Sequence, residues 1–106
     1  VAARTYVCNV TNEEQVIATM DAIARDFGRL DVLVNNAGIV KDGLLLKVKD
    51  GQVVGKMGLD QWNAVIAVNL TGVFLCGREA AERMVKLGNG GVIINISMTL
   101  HYGATW

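Results

Sequence analysis

Residues 30–38 read Leu-Asp-Val-Leu-Val-Asn-Asn-Ala-Gly, an apolar, β-branched run that stops at two amides, a small residue and a glycine. Asp31 to Val34 has the length and composition of a strand buried on both faces, with turn residues directly behind it. Such a strand belongs in a parallel sheet with helices packed on it. In open α/β sheets, ligands bind beyond the carboxyl ends of the strands. Small side chains there let backbone and amide groups approach a flat ring or a ribose. A turn whose two asparagines serve only loop geometry fits the same four residues. The flanking segments decide between the two.

Upstream, Thr5-Tyr-Val-Cys8 reads as the end of a strand and Asn9-Val10-Thr11 as the loop after it. Asn12 suits a helix N-cap, followed by Glu13 and Glu14 where the helix dipole favours negative charge. Val16, Met20, Ile23 and Phe27 then form an apolar stripe, and Gly28 closes the helix as a C′ residue. The alternation strand, helix, strand marks a parallel sheet with a crossover helix. Downstream, Lys49-Asp50-Gly51 separates the apolar runs 44–48 and 52–54. Asp-Gly in that setting predicts a type I′ hairpin at the surface. A long helix is expected from residues 58–60 to about Leu87, with Trp62, Ile66, Leu70, Val73, Phe74, Ala80, Met84 and Leu87 on its apolar side. Glu79 and Arg83, four apart, are expected as an exposed supporting pair. Gly88-Asn-Gly-Gly91 breaks that helix, and Val92-Ile-Ile-Asn-Ile96 is a last buried strand ending at Ser97.

Composition narrows the function. A chain of 106 residues holds one small domain. Ten basic and ten acidic residues cancel, which leaves no electrostatic footprint for nucleic acid or an anionic membrane. No apolar run in the sequence approaches the roughly 18 residues that span a bilayer, and the first residues lack the apolar core and cleavage site of a signal peptide. Cys8 and Cys76 lack metal or redox spacing and read as small buried hydrophobes, which points to a reducing, cytoplasmic setting.

Four features follow one another in an order that resembles the short-chain dehydrogenase/reductase family, and within it the bacterial 3-oxoacyl-[acyl-carrier-protein] reductases. They are Asn9-Val10-Thr11, Asn35-Asn36-Ala37-Gly38, Val68-Asn69-Leu70-Thr71-Gly72, and Gly90-Gly-Val-Ile-Ile-Asn-Ile-Ser97. The fold this resemblance implies is α/β, a partial Rossmann-type doubly wound parallel sheet comprising strands three to five of the usual domain. It would cover residues 1–97, with a hairpin insertion at about 43–57 and an atypical tail at 98–106. By the same resemblance, Asn9 and Val10 contact the adenine, and Asn36, Ala37 and Gly38 lie beside the nicotinamide ribose. An Asx-turn leading into Asn12 is the alternative role for Asn9. Asn69, a poor residue for the middle of a helix, distorts the helix and holds a proton-relay water in the family; a satisfied structural asparagine is its other reading. Ser97 corresponds to a position where family members commonly carry two serines, the second catalytic; here Met98 follows it.

The implied reaction is hydride transfer between NADPH and a 3-ketoacyl thioester, with NAD possible as cofactor. The alternative within the family is an NAD-dependent secondary-alcohol or sugar-alcohol dehydrogenase. A non-catalytic fragment is the third expectation, because the chain contains neither the glycine-rich pyrophosphate turn nor a Tyr-x-x-x-Lys pair. Trp106, not lysine, stands four residues after Tyr102, and His101 reads as solvated. On that reading the polypeptide alone is unstable and inactive. The resemblance implies a small-molecule or acyl-thioester substrate, no nucleic-acid or membrane partner, and a homo-oligomer, a tetramer in the intact enzymes, with the long helix as a subunit contact.

Overall fold

A computed structural model of the chain describes residues 2–39 and 44–97. The elements in chain order are α1 (Glu13–Phe27), β1 (Val32–Asn35), β2 (Leu46–Lys49), β3 (Gln52–Lys56), α2 (Leu59–Ile66), a π-helical turn (Ala67–Thr71), α3 (Gly72–Leu87) and β4 (Val92–Asn95). β1 and β4 pair in parallel, Val32 opposite Val92 through Asn35 opposite Asn95. The architecture is a partial α/β domain of the Rossmann type. The expectations for Met98, His101 and Tyr102, for the rest of the tail, and for Gly43 at the start of the insertion lie outside the described residues.

The local signals act as the sequence predicts. The Asn12 side chain accepts a hydrogen bond from the Gln15 amide at 3.0 Å, and Gly28 takes the left-handed conformation, φ 70°, that ends α1. Replacing Asn12 with alanine leaves an N-terminal amide without its acceptor. The expected cost is about 1 kcal/mol of stability, measured by urea denaturation. Asp50 and Gly51 both have positive φ, 53° and 73°, and turn β2 into the antiparallel β3. A register shift lies between Lys47 and Val48. The hairpin makes no extended contact with any other element and exposes Leu46, Val48, Val53 and Val54.

The core lies between α1, α3 and β1. Val16, Met20, Leu30, Leu75, Cys76, Ala80 and Met84 are buried, with Cys8, Val10, Ile23 and Leu33 packed against them. Both cysteines are free thiols. Arg29 grips Asp31 through Nε at 2.7 Å and Nη2 at 2.8 Å, and Asn89 Nδ2 donates to Asp31 Oδ1 and to the Leu30 carbonyl, each at 2.9 Å. That cluster ties the entry of β1 to the entry of β4.

Four expectations need correction. Thr5–Cys8 forms no strand, because the described strands pair only with one another and none lies beside it; Tyr6 instead donates to Asp26 Oδ2 at 2.7 Å. β1 is not buried on both faces. Among the described residues helices cover only one, and Val32 (53 % exposed), Val34, Val92 and Ile94 stand open on the other. Trp62 (55 % exposed), Leu70 and Phe74 also face outward, and Phe27 and Leu87 sit at the rim of the core. Finally, Glu79 and Arg83 are buried, 6 % and 7 % exposed, because their side of α3 packs on α1. Arg83 bonds Glu79 Oε1 at 2.9 Å and Asp21 of α1 at 2.6 Å, while Arg78 holds the other Glu79 oxygen at 2.7 Å. The Arg78 guanidinium, with Arg83 behind it, holds the Glu79 carboxyl below the usual range.

The run Leu59–Leu87 is, by length and composition, apolar enough to cross a membrane, which no contiguous apolar run in the sequence suggested. Its packed side carries the Glu79–Arg83 pair and meets α1, as a helix of an α/β core does.

Candidate active-site cleft

Beyond the carboxyl ends of β1 and β4 lies a cleft of about 370 Å³, lined by Asn36, Ala37, Gly38, Asn69, Val73, Asn95, Ile96 and Ser97. Five of the seven residues singled out from the sequence meet here, from three separate segments. The parallel register places them: Asn35 and Asn95 stand opposite each other, so the loops leaving the two strands start side by side.

Asn69 fastens one wall. Its Oδ1 accepts from the Ile39 amide at 2.9 Å, and its Nδ2 donates to the Ile39 carbonyl at 3.0 Å. Both ends of the side-chain amide are thereby engaged, and the loop is held as a strand neighbour would hold it. Asn69 sits in the π-helical turn, where the Gly72 amide reaches back to the Ala67 carbonyl, five residues earlier. A wide turn of this kind interrupts the regular ladder, and such turns recur at functional sites. With one bond at each end, the exposed Asn69 amide still has a second acceptor site and a second donor hydrogen free to hold a water.

Gly38 is informative by what it does not touch. Among the described residues, a Cβ at this position would meet only Asn69 Oδ1, at an ordinary 3.5 Å. The packing of the described residues does not demand a glycine there, and a ligand approaching closely would. Among the described residues, none that lines the cleft carries a charge. A neutral wall of amides, a hydroxyl and small side chains fits an uncharged ring and its sugar better than a phosphate.

Asn9 and Val10 stand outside this cleft. Asn9 Oδ1 accepts from the Thr11 amide at 3.0 Å and the Thr11 hydroxyl at 2.7 Å, the Asx-turn arrangement, and the Asn9 amide donates to Gln15 Oε1. Any ligand contact from the Asn9 side chain would use Nδ2. Val10 seats in the notch of Gly72, where a Cβ would come within 2.8 Å of Val10 Cγ2. The loop 9–11 is thus pinned to the start of α3, next to Asn35 and Ala37.

Sequence reasoning missed Asn95 as a wall of the cleft. The signal in the sequence was an asparagine inside the apolar run Val-Ile-Ile-Asn-Ile, a polar residue at the carboxyl end of a strand, although Asn95 itself is exposed and its partner Asn35 is the buried one.

Comparison with known proteins places this geometry. A sequence profile described as "short chain dehydrogenase" matches residues 1–103. The 3-oxoacyl-[acyl-carrier-protein] reductase FabG of Thermotoga maritima is 39 % identical over 98 residues, 92 % of this chain and 36 % of that protein. D-threitol dehydrogenase of Mycolicibacterium smegmatis is 35 % identical over 96 residues, covering 91 % of this chain and 33 % of the relative. Among solved structures, NADP-bound ElxO aligns with a TM-score of 0.70 at 42 % identity, over 87 % of this chain and 34 % of that one. NAD+-bound xylitol dehydrogenase aligns with a TM-score of 0.71 at 40 % identity, over 90 % and 33 %. The chain spans about a third of the length of the relatives it matches.

Proposed function

The chain belongs to the short chain dehydrogenase family, and from that membership we propose that it supplies the nicotinamide-side cleft of an NADPH-dependent 3-ketoacyl thioester reductase. The observation that carries the reading is the convergence of Asn36, Ala37, Gly38, Asn69 and Ser97 on one cleft at the carboxyl edge of a parallel sheet. When bound, the cofactor supplies the hydride. The residues of this chain do the rest of what is proposed for them. The Asn36–Gly38 loop, held by Asn69, gives the ribose and ring a close, flat seat. The Ser97 hydroxyl donates a hydrogen bond to the substrate carbonyl oxygen, where negative charge develops during reduction. Asn69 keeps the wide turn that would order a proton-relay water. Asn9 and Val10 are assigned to the adenine end, through Asn9 Nδ2 and the main chain of the 9–11 loop.

The thioester substrate and the preference for NADPH rest on the reductase relatives. The polyol dehydrogenases support a second reading, oxidation of a secondary alcohol with NAD+, at similar identity. The free thiols fit a cytoplasmic protein. The outward apolar side of the long helix, Leu59, Trp62, Leu70 and Phe74, suits a contact between copies in a homo-oligomer.

The test is turnover. With NADPH and acetoacetyl thioester, oxidation of the nicotinamide is expected at a rate well above that with NAD+ and threitol or xylitol. The reverse ranking favours the polyol reading. Absence of both activities together with absence of cofactor binding overturns the enzymatic reading for this chain and leaves the inactive-fragment alternative.

A further inference from the structure

Two asparagines end neighbouring parallel strands at the same register position, Asn35 on β1 and Asn95 on β4. Asn35 Nδ2 donates to Asn95 Oδ1 at 2.9 Å, and the main chain repeats the link beside it, the Ile96 amide donating to the Asn35 carbonyl at 2.9 Å. Asn35 is buried, 8 % exposed, whereas Asn95 lines the cleft. A buried amide in an apolar strand costs stability unless it is paired. A valine or leucine at both positions would fill the strands without that cost.

The place of the pair gives it a role. One residue after Asn35 the loop Asn36–Gly38 begins; two residues after Asn95 stands Ser97. The pairing of the two strands stops at this register, so among the described residues the Asn35–Asn95 bond is the last side-chain link between the two walls. Asn69 fixes the first wall from the far side, through Ile39. We propose that Asn95 is a positioning residue: through Asn35 it sets the distance and register between the Asn36–Gly38 loop and Ser97. The inference deepens the oxidoreductase reading and rests on it for what the two walls hold.

The test uses the isotopically labelled 106-residue chain. In the parent, the Asn35 side-chain NH2 is expected to exchange with solvent slowly. Asn95→Leu removes the acceptor, and the exchange is expected to rise at least about tenfold, with shifts at the Gly38 and Ser97 amides. Asn95→Asp keeps an oxygen at the same place and is expected to restore the protection and both amide positions. NADPH affinity should follow the same order, falling about 10- to 100-fold for Asn95→Leu and little for Asn95→Asp. Unprotected Asn35 protons in the parent overturn the proposal, as does a lowered thermal midpoint in Asn95→Leu with Gly38 and Ser97 unmoved. Should the amide results hold while the parent binds neither NADPH nor NAD+, the positioning pair stands and the oxidoreductase reading falls.

Discussion

Arg83→Ala is expected to lower the unfolding free energy by about 3 kcal/mol in urea denaturation, more than any other single substitution proposed in this chain. The reason is what it leaves behind. Glu79 is buried and keeps only Arg78, and α1 loses its ionic link to α3 through Asp21. Arg83→Met, which refills the space without the charge, is expected to cost clearly less, because packing is retained. Acid should expose the same network. The Glu79 carboxyl is held below its ordinary range, chiefly by Arg78 and further by Arg83. Its contribution is therefore complete above the ordinary glutamate range and is lost as pH falls through the lowered value. The gap between parent and Arg83→Ala should narrow in that acid window, since the variant has less of this contribution to lose. A gap that stays constant down to the acid limit would refute the assignment.

Asn69→Ala is expected to weaken NADPH binding by about 10- to 100-fold, read by fluorescence titration. It removes both hydrogen bonds to Ile39 at once, and with them the support of the loop carrying Asn36, Ala37 and Gly38. Hydrogen exchange at the Ile39 amide should accelerate in the same variant, a readout that does not depend on turnover. Asn69→Asp can accept from the Ile39 amide but sets a carboxylate against the Ile39 carbonyl. It should therefore fall between the parent and alanine. Equal affinity in all three proteins would show that the loop is held by something else.

The features that sequence revealed are those whose physics is local. Asn12, Gly28 and the Asp50–Gly51 turn each follow from one or two residues and their backbone preferences. The cleft was legible for a related reason: small and amide residues at the ends of apolar runs imply strand ends. Parallel strands then bring those ends together without further information. What escaped depends on a third party. Spacing of four places Glu79 and Arg83 together on a helix whether the pair is wet or buried, and Asp21 on a different helix decides which. Periodicity likewise groups Trp62, Leu70 and Phe74 but is silent on what covers them. Asn95 stood out as an amide in an apolar run, but its role did not, because its partner lies sixty residues away in sequence.

The wide turn at Ala67–Thr71 also governs how the long helix is oriented. Hydrogen bonds that reach back five residues lengthen the spacing between successive contacts, so the stripe before the turn and the stripe after it are out of phase. Before it, Trp62 looks away from the body of the protein; after it, Leu75, Cys76, Ala80 and Met84 look inward. A single geometric irregularity thus divides one rod into two halves with different neighbours. The half after the turn packs on α1 and β1, the half before it packs chiefly on the turn itself, and the asparagine that steadies the cleft sits at the joint between them.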